Sequence, residues 1–265
     1  MRGMKTAALA AAFLTLPLAA WAADPAPPSP RQVEDSFCAR RDAEGACRLA
    51  DGQVLSFWWG SRVTLPAGGE LYLGLATAQP APTGGVVFTA PDATLPLYQA
   101  SFRREGSRWI PASLQAGMGR IGTGGAGGDA PQVDEKAPLR QHALPGGDLI
   151  LALRTISSFQ GSSIYGFEIF KLEAARSQWR YAGTIPGGSD NGAACMPPQS
   201  PCVTLEGAPV FDARVAMARP GWPVIVMSLD RSEERDGRPV TLSGAEMKRY
   251  GYDPERGAYR ELGDN

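Results

Sequence analysis

The chain has 265 residues with 32 glycines, 23 prolines and one histidine, a composition that argues for short punctuated elements over long helices and leaves imidazole chemistry to His142 alone. Beyond residue 22 there remain 26 − 2 = 24 basic residues against 27 acidic ones, a balance of −3. That argues against nucleic acid or an anionic membrane as the main partner.

The first 22 residues have the form of a secretory signal peptide. Arg2 and Lys5 supply the positive start, Thr6 to Leu18 the apolar stretch, and Ala20-Trp21-Ala22 the cleavage site. Pro17 interrupts the apolar stretch, which is short for a bilayer span, and no cysteine follows it for a lipid anchor. The expectation is an exported protein, periplasmic or extracellular, starting at Ala23 and not inserted in a membrane after cleavage. The 265 − 22 = 243 remaining residues suit a single β-rich globular domain over residues 31–265, which would bury roughly 70–75% of its extended surface.

Residues 23–30 form a Pro-rich leader, expected to be extended and mobile. Ser29 then caps a helix with Pro30 in its first turn, Val33 and Phe37 on one face, and a run toward Arg41. Cys38 and Cys47 flank one short loop, and Cys195 and Cys202 another. Two local disulfides are the natural reading in an oxidising compartment, although four cysteines allow three pairings. Each would add about 2.5 kcal/mol on a chain-entropy argument. Zinc is not expected, because there is no C-x-x-C pair and only one histidine.

Val54 to Gly60 is an aromatic strand candidate. Its neighbours Trp58 and Trp59 should point to opposite faces, leaving one exposed or under a loop. Next comes a repeated design, an apolar strand followed by an aromatic hairpin. The strands are Leu71–Thr77 and Leu149–Thr155, each after a Gly-Gly-acid turn, and a looser copy at Val224–Ser228. The offsets are 149 − 71 = 78 and 224 − 149 = 75 residues. The hairpins run from Leu97–Phe102 to Trp109, from Phe167–Phe170 to Trp179–Tyr181, and from Tyr250–Tyr252 to Tyr259. The fold class that follows is all-β, with antiparallel strands in about three divergent hairpin-containing repeats and little helix. In joining strands to aromatic hairpins the repeat resembles β-propeller blades, but its period exceeds the ~40–50 residues of common blades. A β-sandwich and a propeller-like multi-sheet arrangement both remain open.

Between these units, residues 79–96 carry one short strand, Val86–Phe88. Residues 117–145 read as a long Gly-rich loop, 157–166 as a polar loop and 186–201 as irregular, while Val210–Met217 alternates like a strand. Ser243 with Glu246 resembles a capping box for a helix soon ended by Tyr250-Gly251. The spacing Gly117-x-Gly119-x-x-Gly122 fits a dinucleotide fingerprint in letters only, because a glycine-rich run follows where a helix must start.

Catalytic signals are few. His142 could act with Ser162 or Ser163 and Asp148, but no G-x-S-x-G elbow is present. Glu70, Asp148 and Glu168 could in principle pair for glycoside hydrolysis, each sitting where a solvated carboxylate is the default. Asp190-Asn191-Gly192 reads as a turn and not as a calcium loop. No cofactor and no metal is expected. Trp109 and Trp179 recur at matching positions and are assigned to packing, which leaves Trp58, Trp59 and Trp222 as candidate recognition anchors. The first expectation is a non-catalytic exported protein that binds a macromolecule, such as an inhibitor, an immunity protein or an envelope accessory factor, with a protein partner. The alternatives are an exported hydrolase using a carboxylate pair or a Ser–His142–Asp site, and a carbohydrate-binding module with a glycan ligand.

Overall fold

A capping box starts the described fold. Ser29 Oγ accepts the Gln32 amide, and the Gln32 side chain accepts the Ser29 amide, so helix α1 (Pro30–Asp35) begins where its caps place it. The computed structural model describes residues 24–81, 93–124, 128–196, 201–212, 220–235 and 238–263. The expected signal segment, the expected strand Val86–Phe88 and residues 213–217 of the expected strand Val210–Met217 lie outside the described residues. Helix α1 stops at Asp35, short of the expected Arg41. Cys38 is bonded to Cys47, and β1 (Arg40–Arg41) pairs with β2 (Cys47–Arg48), which requires extended backbone from Arg40 onward. The leader is also not free. Arg62 holds the Asp24 carboxylate and, at 2.9 Å, the Pro25 carbonyl, while Arg104 reaches Asp24 at 2.6 Å.

The remaining strands complete two antiparallel sheets. β3 (Val54–Thr64), β4 (Glu70–Gln79), β5 (Thr94–Glu105) and β6 (Arg108–Gly122) follow β1 and β2 in chain order to make the first, six-stranded sheet. The second, nine-stranded sheet contains β7 (Gln132–Val133), β8 (Arg140–Ala143), β9 (Leu149–Phe159), β10 (Ser162–Glu173), β11 (Gln178–Asp190), β12 (Val203–Asp212), β13 (Val224–Arg235), β14 (Arg238–Asp253) and β15 (Ala258–Glu261). It too runs in chain order, with β7 and β8 sharing one edge of β9. At 64% strand and 6% helix the fold is all-β.

The three expected hairpins form as β5–β6, β10–β11 and β14–β15, each after its apolar strand β4, β9 or β13. The third unit is continuous with the second because β12 pairs with both β11 and β13. Turns before β4 and β9 need glycine: Gly68 and Gly69 have φ of 89° and 91°, and Gly146 and Gly147 of 82° and 87°. Burial explains the apolar runs. On β4, Leu71, Leu73 and Leu75 face β9 residues Leu149, Leu151 and Leu153 across a shared core. Tyr72 and Ala76 point the other way, toward Val33 of α1. On β9, Ile150 and Ala152 face a second core closed by Trp222, Tyr252 and Tyr259. Both strands are therefore covered on both faces, which removes the usual polar alternation.

Several expected loops are strands. Residues 117–122 belong to β6, where one residue of β5, Tyr98, stands against Ala116, Gly117 and Met118, and Gly117 takes φ 66° in this bulge. The polar stretch 157–166 is a hairpin, with Ser157 opposite Ile164 and a two-residue turn at Gln160 (φ 48°) and Gly161 (φ 79°). Pro186 to Asp190 continues β11. The expected helix at Ser243 is also strand: β14 bulges there, and Asp230 Oδ1 accepts the Gly244 amide at 2.8 Å.

The sheets are joined by a side chain acting as a strand. Gln115 Nε2 donates to the Trp179 carbonyl at 2.9 Å, and Gln115 Oε1 accepts the Trp179 amide at 2.7 Å. Nearby, Gly119 leaves room for Tyr181, which a Cβ would approach to 2.8 Å. Gln115→Leu is expected to destabilise the protein by about 2–4 kcal/mol, since two partly buried backbone groups lose their partners. Urea unfolding measures this, and a loss below about 0.5 kcal/mol would show that water replaces the amide at little cost.

Candidate functional site

β3 is interrupted at its tryptophans. Phe57 stands opposite Ala76 and Trp59 opposite Leu75, so Trp58 is an extra residue. The bulge turns both indoles toward the core shared by the two sheets, where each is half-buried. The expectation of opposite faces fails here because the extra residue breaks the two-residue period. Trp58 Nε1 donates to the Pro131 carbonyl at 2.8 Å, tying β3 to the segment before β7.

Between these two segments lies a cleft of about 1030 Å³. Phe57 to Ser61 form one wall, residues 130–137 the opposite wall, and Leu153, Arg154, Ile156 and Tyr165 of β9 and β10 the floor. Arg154 is 14% exposed and holds two carboxylates, Glu206 through Nη1 at 2.6 Å and Asp134 with Nε at 3.3 Å. Its guanidinium also lies 4.5 Å from the Tyr165 ring centroid. Burial raises the Tyr165 phenol above the usual tyrosine value, with the Asp190 and Glu206 carboxylates acting in the same sense. This side of the fold thus joins two indoles, one phenol and a clamped arginine, a combination suited to recognition.

A smaller hollow of about 250 Å³ adjoins the cleft through Pro131 and Tyr165, and Glu168 sits in its wall. Glu168 is not the solvated carboxylate expected from sequence; it is 1% exposed. Tyr181 donates to it at 2.6 Å, Thr184 at 2.8 Å and Thr155 at 3.1 Å. Burial pushes its carboxyl above the ordinary range despite these donors.

The expected catalytic groupings do not assemble. His142 stands opposite Ile150 and stacks on Phe211 at 5.0 Å, with its imidazole pushed below the usual value by burial. Ser163 stands opposite Ser158, eight residues farther along β9 (158 − 150 = 8) and about 26 Å away, with Ser162 one pair beyond. Asp148 is engaged with Lys171 at 3.1 Å and accepts the Ala174 amide at 2.9 Å. Glu168 pairs with Leu153, five residues from Asp148 (153 − 148 = 5). That places the two carboxylates about 17 Å apart, beyond the ~5–9.5 Å of paired glycosidase carboxyls. Glu70 lies between Arg104 at 3.2 Å and Arg62 at 3.8 Å. Asp190 closes a turn, accepting the Gly192 amide and the Thr204 hydroxyl.

Of the three candidate anchors, Trp58 and Trp59 share the cleft and Trp222 does not. Trp222 is 7% exposed, stacked on Tyr252 at 3.6 Å and edge-on to Tyr259, with Lys171 Nζ 4.7 Å from its ring. It is a core residue. Both cysteine pairs are bonded as expected, Cys38–Cys47 and Cys195–Cys202. Sequence reasoning passed over Arg154, Asp134, Tyr165 and Glu206. One signal for Arg154 was there: it is a lone charge ending the apolar run Leu149–Leu153. No family model, curated protein or solved structure matches the chain.

Proposed function

We propose that this chain is an exported, non-catalytic binding protein, and that part of a macromolecular partner lies in the cleft against Trp58 and Trp59. The observation that carries this reading is the cleft itself. It brings two anchors expected from sequence beside the Arg154–Asp134–Glu206 cluster, and it is large enough for a ligand of many atoms. Export is supported by the pattern of residues 1–22 and by two disulfides. Among the described residues, no helix is long and apolar enough to cross a membrane. An inhibitor, an immunity protein or an envelope accessory factor would each work in this way, through contact and without turnover.

The test uses the chain from Ala23 with its disulfides intact as bait in a cell-envelope extract, against a Trp58→Ala/Trp59→Ala control of matched circular dichroism. A retained protein is then purified and its affinity measured directly. Loss of both indoles is expected to weaken binding by about 2 kcal/mol or more, near thirtyfold. Equal affinity for both baits would remove the cleft from the reading, and exported protein still beginning at Met1 would contradict cleavage of a signal.

A further inference from the structure

Five consecutive residues of β3, Phe57 to Ser61, border the cleft. The bulge puts Trp58 and Trp59 on one face, but Phe57 and Gly60 lie on the other, beside Tyr72, so the cleft reaches both faces of the strand and a ligand in it meets the edge. The packing agrees. Phe57 belongs to the cluster around α1, whereas Trp58 and Trp59 belong to the core between the sheets, so both faces of β3 flank the opening.

That edge is largely uncovered. β2 pairs only with Val54 and Leu55, and Glu34 Oε1 accepts the Phe57 amide at 3.0 Å. Among the described residues no strand pairs with β3 on this side beyond Leu55. Counted from Phe57 through the bulge, antiparallel alternation directs the Gly60 amide and carbonyl to the same edge. Such an edge is a template for another strand. The charge around it is unbalanced. Asp134, Glu135 and Glu206 stand against Arg154 and Lys136, 3 − 2 = 1 surplus negative charge, and Glu135 is exposed.

Building on the binding-protein reading above, we infer that the cleft takes an extended polypeptide segment bearing a basic side chain, which adds as a strand to the open edge of β3. Main-chain hydrogen bonds to the Gly60 stretch hold it in register. Trp58 and Trp59 pack against side chains of one face, and the basic group meets the surplus carboxylate of the rim.

Random dodecapeptides displayed on phage, selected on the disulfide-intact chain from Ala23, supply the probe. Selected peptides are expected to be basic and to lose affinity about tenfold when N-methylated at alternate residues, with little loss at the residues between. Hydrogen exchange should slow at the amides of Gly60 and Arg62 on binding. Trp58→Ala/Trp59→Ala should weaken the peptide about tenfold or more, and the exposed change Glu135→Lys should weaken it several-fold if the double variant folds poorly. Peptides that need the tryptophans but tolerate N-methylation at every position overturn strand addition and leave the binding reading intact. If no peptide is selected and a glycan array yields a ligand that needs Trp58 and Trp59, the polypeptide ligand is overturned and the cleft still binds. Absence of any ligand from both sources overturns both readings.

Discussion

Trp222→Ala is expected to lower stability by about 3–5 kcal/mol. The indole is stacked within 5° of parallel on Tyr252, meets Tyr259 edge-on and lies under Lys171. Its removal opens a cavity in the second core and leaves Lys171, itself 6% exposed, with Asp148 as its remaining close partner. Tyr259, whose hydroxyl donates to the Pro223 carbonyl at 2.9 Å, would lose the ring that fixes it. Trp222→Phe keeps an aromatic face and should recover about half of the loss. Urea unfolding with an unchanged m-value checks the cost. A loss below about 1 kcal/mol would show that the site collapses around the alanine or that the ring is not part of the core.

The second large effect concerns pH. Burial holds the Glu168 carboxyl proton to higher pH in the folded protein than in the unfolded chain, where a glutamate titrates near 4.5. The folded state therefore binds the extra proton. The contribution to stability is fully present below pH ~4.5 and is lost as pH rises through the folded value, at up to about 1.4 kcal/mol per pH unit. Glu168→Gln has no proton to lose, so its stability relative to the parent should rise across the same window. His142 and Asp24 have lowered values and act in the opposite sense, but they are common to both proteins and cancel in the difference. Urea midpoints at several pH values between 4 and 8 give the comparison. A parent–variant difference that does not change with pH would mean that Glu168 titrates alike in both states. Glu168→Leu differs in kind, because it leaves the Tyr181, Thr184 and Thr155 hydroxyls without their shared acceptor.

These two residues also mark where sequence reading stopped. Trp222 looked available for recognition because it lacked a counterpart in the repeat, yet its ring closes a core whose other wall, Tyr252 and Tyr259, comes from the following hairpin. Glu168 looked solvated because a strand position does not say which face is covered. Its burial arises from Thr155 on one neighbouring strand and from Tyr181 and Thr184 on the other. The catalytic grouping failed on register. Residues 142 and 163 are separated in sequence by a single strand, β9, but antiparallel pairing sends His142 to the start of that strand and Ser163 to its far end.

Local chemistry determined what depends on short stretches of chain. The Ser29 cap, the Gly-Gly turns before β4 and β9, the three aromatic hairpins and both disulfide loops are legible because each is fixed by residues within about ten positions of one another. Tertiary structure decided what depends on distant partners. It set the bulge that gathers Trp58 and Trp59 on one side, the Gln115 bridge to Trp179, and the placing of Arg154 between Asp134 and Glu206, 206 − 134 = 72 residues apart. A hydrophobic pattern specifies that a strand is buried, but not which strand will lie across from it. The cleft is a product of that second choice, made when β4 and β9 close on a common core.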